Sequence, residues 1–132
     1  MNIITSKLSF LTTILFLIVN STNAQNLSWQ NPLPQGNNLS SVYFPNATTG
    51  YIVGDAGTIL KTTDAGTSWT TQISGTFNGL TSVCFIGVDT GYAIGGSSTI
   101  LKTTDGGNTW VLQAGGLPLL TSVFFTNANI GY

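Results

Sequence analysis

Seven side chains of this 132-residue chain carry charge: Asp55, Asp64, Asp89 and Asp105 against Lys7, Lys61 and Lys102, a formal net charge of −1. The thiol of Cys84 completes the reactive inventory, because histidine, arginine and glutamate are absent. Three chemistries could be assembled from such a set. Two carboxylates at a fixed separation can cleave a glycosidic bond, one as acid and the other as base or nucleophile. Carboxylates on a turn can ligate calcium, and a thiolate can act as a nucleophile. Each idea meets an obstacle of spacing or company. Asp55 and Asp89 are the best candidates for hydrolysis, yet they fall at different points of an internal repeat. Asp64 and Asp105 offer one carboxylate per turn, whereas calcium takes roughly six to eight oxygens. Cys84 has no histidine or arginine to lower its pKa. It stands in "SVCF", where the related segments read "SVYF" and "SVFF", so it is expected to be a packed apolar position. The reading is a protein that is not an enzyme, with no catalytic residue, no metal and no cofactor. Clustered Lys or Arg to follow a phosphate backbone is missing, so nucleic acid is not an expected partner.

The elements that would position these groups begin after a distinct leader. Residues 1–24 carry Lys7, the apolar run "LSFLTTILFLIV" and small residues before Ala24, which reads as a signal peptide cleaved after Ala24. The run is shorter than the ~20 residues of a spanning helix. No membrane span is expected once the signal is removed, and the mature chain is expected to be secreted, periplasmic or on the cell surface. A lone cysteine cannot form an internal disulfide, so an exported chain would be held by packing alone.

Beyond the leader the chain repeats itself. "KTTDAGTSW" from Lys61 returns as "KTTDGGNTW" from Lys102, 41 positions later. The surrounding units start at Leu39, Leu80 and Leu120, with Gly50–Tyr51, Gly91–Tyr92 and Gly131–Tyr132 in register. Each unit divides into four short β-favouring runs; in the first these are residues 41–44, 50–53, 58–62 and 68–73, separated by "PNATTG", "GDAG" and "TDAGT". No window shows helical spacing outside the signal. Four antiparallel strands per roughly 40 residues predicts an all-β propeller blade. The expected organisation is a lone fourth strand at 25–38, with Trp29 in the place of Trp69 and Trp110, a blade at 39–79, a blade at 80–119, and the start of another at 120–132. About two and a half blades are present, whereas propellers use roughly four to eight. The chain is therefore expected to be a fragment of a longer protein.

"TTDAGTSW" and "TTDGGNTW" resemble the Asp-box of bacterial neuraminidase repeats, Ser/Thr-x-Asp-x-Gly-x-Thr-Trp. The matching positions are Asp64, Gly66 and Trp69 in one copy and Asp105, Gly107, Thr109 and Trp110 in the other, with Ser68 departing from the pattern. The whole unit, with "GYIVGDAGTILKTTDAGTSW" as its core, is more similar to the repeats of the photosystem II assembly and stability factor family. The role expected of the box is structural. An Asp opening a tight turn can accept from backbone amides two or three residues on, Gly supplies angles that other residues resist, and the Trp ring fixes the register of the fourth strand. Lys61 and Lys102 are expected to be solvated edge charges. Tyr51 and Tyr92 are expected to be core aromatics.

The resemblance implies an exported binding or assembly module that assists photosystem II assembly, with a precursor reaction-centre protein as partner. The expected partner is a protein, with a glycan as the lesser possibility. Two other readings stand beside it: a sialidase-like glycoside hydrolase, whose arginine cluster and glutamate have no counterpart here, and a structural or adhesive surface protein suited to a Thr-, Ser-, Asn- and Gly-rich composition.

Overall fold

The computed structural model describes residues 36–113 and 119–132. The expected signal peptide lies outside the described residues, as does the expected lone strand except for residues 36–38, which form no strand. Strands β1 (Leu39–Tyr43), β2 (Gly50–Gly54), β3 (Ile59–Thr62) and β4 (Thr70–Gln72) form a four-stranded antiparallel sheet in chain order. Strands β5 (Leu80–Ile86), β6 (Thr90–Gly95), β7 (Ile100–Thr103) and β8 (Val111–Leu112) repeat it. A hairpin of β9 (Phe125–Asn127) and β10 (Ile130–Gly131) opens the third unit. The described part of the chain is two propeller blades and the beginning of a third. Its helical content is two single-turn 3₁₀ segments, Asp55–Gly57 and Gly96–Ser98, which turn β2 into β3 and β6 into β7.

The repeat in sequence is a repeat in register. Tyr51 lies opposite Lys61 as Tyr92 lies opposite Lys102, and a bulge interrupts β1 between Leu39 and Ser41 as it does β5 between Leu80 and Ser82. The Phe–Gly pair of each unit has a steric basis. The Phe44, Phe85 and Phe125 rings lie flat on Gly50, Gly91 and Gly131, where a Cβ would stand 2.5, 2.6 and 2.5 Å from the nearest ring carbon.

The core sits between the two sheets. Tyr51, Val53 and Ile59 of the first meet Leu80, Val83, Phe85, Ala93, Leu101 and Trp110 of the second. Tyr51, with 0% exposure, stacks on Phe85 at 4.0 Å between centroids. Trp110 meets the same Phe85 edge-on at 6.0 Å, geometry in which each aromatic pair adds roughly 0.5–1.5 kcal/mol beyond its buried area. On the innermost strands the Val83 N–H donates to Ser41 Oγ at 3.4 Å, and one unit later the Val123 N–H donates to Ser82 Oγ at 3.2 Å. The third unit differs in extent. The aligned "SVFF" of residues 122–125 is a strand only from Phe125, because β10 pairs with a short stretch of it.

Candidate functional site

The twice-written phrase forms the β3–β4 and β7–β8 turns, and the two copies superimpose bond for bond. Asp64 Oδ1 accepts from the Ser68 N–H at 2.8 Å and the Thr62 hydroxyl at 2.7 Å, while Oδ2 accepts from the Ser68 hydroxyl at 2.6 Å. Asp105 does the same with Thr109 N–H at 2.9 Å, Thr103 at 2.8 Å and the Thr109 hydroxyl at 2.6 Å. The backbone donor lies four residues on, not two or three, because the carboxylate spans the whole turn rather than its first half. Ser68 in place of Thr leaves the bond to Oδ2 unchanged. Gly66 and Gly107 take φ of +88° and +80°, the left-handed region that a side chain resists. Thr62 and Thr103 stand at the first position of the Ser/Thr-x-Asp pattern, but sequence reasoning gave them no role. Each is buried, donates to the carboxylate, and accepts from the Gly N–H four residues on, at 2.9 and 2.8 Å. A threonine standing two before each Asp in both copies was the available signal.

These bonds hold the ionised carboxylate. The Ser68 hydroxyl first, then its N–H and Thr62, lower Asp64 to a pKa of about 2; Thr109 and Thr103 do the same for Asp105. A carboxylate with that pKa is too weak a base for proton transfer near neutrality. The other two acids are kept apart by topology. Asp55 lies in the β2–β3 turn and Asp89 in the β5–β6 turn, and successive turns of a meander fall at opposite ends of the strands. They do not form the pair that glycoside cleavage needs. Among the described residues no three Asp or Cys side chains gather as a metal shell.

The lysines are not edge charges. β3 and β7 are paired on both sides, and Lys61 is half-buried, its Nζ donating to Gly106 O at 2.6 Å. The Tyr51 hydroxyl donates to the same carbonyl at 2.7 Å. The turn of one blade thus presses a backbone oxygen against two donors of its neighbour. Burial first, then the charges of Asp89 and Asp105, push Tyr51 up to a pKa of about 12. Lys102 lies 5.4 Å from the Tyr92 ring centroid in the equivalent place, and Tyr92 stacks on Phe125 at 4.7 Å. Trp110 is buried and Trp69 half-buried, the latter edge-on to Phe44 at 6.1 Å. Cys84 is buried with 3% exposure.

The arrangement is a joint between blades, with backbone carbonyls, hydroxyls and aromatic faces as its working parts. No helix among the described residues is long and apolar enough to cross a membrane. No curated protein matches the chain. Solved structures that share its fold include two of YCF48. One, YCF48 bound to D1 peptide, is 24% identical with a TM-score of 0.66 over 75% of this chain and 34% of that one. The other, YCF48 from Cyanidioschyzon merolae, is 28% identical with a TM-score of 0.59 over 74% of this chain and 30% of that one. The chain spans about a third of the length of these structures. The family model described as photosynthesis system II assembly factor YCF48 matches residues 21–112, four-stranded blades and both turns included, and the chain belongs to that family.

Proposed function

We propose that this chain is a section of an exported, non-enzymatic propeller that assists photosystem II assembly by holding a peptide segment of a client protein. The observation that carries this reading is the shared fold, at a TM-score of 0.66, with a YCF48 that was solved bound to D1 peptide. The chemistry of the surface supports it and shapes it. With no arginine in the chain, a client would be held by backbone hydrogen bonds, hydroxyls and apolar contacts rather than by ion pairs. The glycan alternative has less support, since the Tyr51 face that could stack on a sugar ring lies against Phe85. Export rests on the leader at residues 1–24 and predicts a mature chain beginning at Gln25, which N-terminal sequencing of the native protein checks.

The test is a titration of the full chain into a fluorescent D1-derived peptide, followed by anisotropy, with a scrambled peptide as control. Specific binding, at least tenfold tighter than the control and changed by less than about twofold between 50 and 300 mM salt, is the expected result, because screening acts on charge pairs. Equal affinity for both peptides would sink the proposal.

A further inference from the structure

The connector that runs from β4 to β5 is fastened to the β6–β7 turn. Asn78 Nδ2 donates to Thr99 Oγ1 at 2.9 Å, and the Gly96 N–H donates to Gly79 O at 2.9 Å. One unit earlier the same clasp joins Asn37 Nδ2 to Thr58 Oγ1 at 3.0 Å, with the Asp55 N–H on Asn38 O at 2.9 Å. The two clasps differ in the residue that follows the asparagine, Asn38 in the first and Gly79 in the second. Asn78 with Gly79 is the single Asn-Gly pair of the chain. Both residues lie outside the strands and are half-buried, so water reaches them. Neither Asn78 Oδ1 nor the Gly79 N–H has a hydrogen-bond partner among the described residues.

From this difference we infer that Asn78 is a self-modifying site, at which the chain converts its own clasp to aspartate and isoaspartate. The only co-reactant is water. The Gly79 nitrogen gives up its proton to base and attacks Asn78 Cγ. The new N–Cγ bond closes a succinimide ring as the Cγ–Nδ2 bond breaks, and the departing nitrogen takes up a proton and leaves as ammonia. Water then opens the ring at one of its two carbonyls, giving aspartate, or isoaspartate with the backbone routed through the side chain. Nothing is oxidised or reduced. Glycine permits the attack because its backbone reaches conformations that a side chain resists, a freedom that Asn38 denies to Asn37. Either product removes the donor that Thr99 Oγ1 accepts, since a carboxylate only accepts. Isoaspartate also lengthens the backbone beside Gly79 and draws its carbonyl from Gly96. Because the clasp holds the leaving nitrogen, conversion proceeds when the clasp opens, and its rate reports local opening of the joint. The inference is independent of the client reading, since it concerns a joint within the chain.

The full chain, incubated at mildly alkaline pH and followed by peptide mapping with mass spectrometry, provides the test. Conversion at Asn78 to both isomers is expected, at least roughly tenfold faster than at Asn37 and accelerating as the pH rises. Gly79→Ala should slow it by roughly tenfold or more. That variant retains the fold, because the added Cβ stands 3.4 Å from Asp55 Oδ1, in van der Waals contact. Thr99→Val should speed conversion severalfold, whereas Thr99→Ser, which keeps the acceptor, leaves it near the native rate. Amide exchange at Gly96 should quicken in the converted chain. Conversion at Asn78 only after unfolding in urea, equal rates at Asn37 and Asn78, or a rate indifferent to Thr99→Val would overturn the inference. Unchanged exchange at Gly96 after conversion would overturn it as well.

Discussion

The aspartate of each turn is held by several donors at once. Asp105 takes three donors from Thr103 and Thr109, while among the described residues Asp55 takes the Asn38 amide at 3.0 Å. Asp105→Asn should therefore lower the thermal midpoint clearly and Asp55→Asn barely, as followed by circular dichroism. The pH dependence has a definite sign. The folded pKa of about 2 for Asp64 and Asp105 lies below the ordinary 3.8, so their contribution is whole above that value and is lost as pH falls towards 2. An acid titration should show destabilisation in that window, reduced in an Asp64→Asn, Asp105→Asn double variant. At this scale the sequence was legible where a turn imposes local rules: Asp, Gly and Trp could be placed from spacing. Lys61 could not. Its partner is the carbonyl of Gly106, 45 residues away, and nothing near Lys61 signals that a neighbouring turn will reach it.

Strands and turns were the most legible level, because alternating β-branched runs and glycine punctuation are local properties of the chain. The four expected runs of the first unit match β1 to β4 with ends shifted by no more than two residues, and the shift at the start of β4 leaves Ser68 and Trp69 in the turn. The reason for Gly50 and Gly91 was not legible, since it lies across a hairpin. Both carry a Phe ring, but the rings differ in freedom. Phe85 is clamped between Tyr51 and Trp110, whereas Phe44 is 43% exposed. Gly91→Ala should cost about 1–3 kcal/mol, as overpacking does, and Gly50→Ala less than about 1 kcal/mol because Phe44 can swing aside. Urea unfolding of the two variants distinguishes these outcomes, and equal losses would show that the clamp on Phe85 does not matter.

At the scale of the molecule, stability lies in the joint rather than in either sheet. Neighbour-to-neighbour packing of this kind couples adjacent units. Phe85→Ala removes the ring that stacks on Tyr51 and meets Trp110 edge-on, and should cost about 3–5 kcal/mol. Hydrogen exchange should then quicken in β2 and β3 as well as in β6 and β7; acceleration confined to the second sheet would show that the blades stand separately. Alkali probes the same joint. Tyr51 is held neutral up to about 12, above its ordinary 10.0, so its contribution is whole below pH 10 and declines as the pH rises through 12. Tyr51→Phe should remove that alkaline step at a cost of about 0.5–1.5 kcal/mol near neutrality, since Lys61 still serves the Gly106 carbonyl. Blade architecture was readable from the repeat, but the joint was not, because it is made of pairs separated by a whole unit, such as Ser41 with Val83. That separation has a genetic consequence. Each unit carries one half of the joint on each face, so duplicating or deleting a stretch of 41 codons, wherever its breakpoints fall within the unit, adds or removes one complete set of mating surfaces. A gene built this way can change the size of its product by unequal recombination without having to invent an interface.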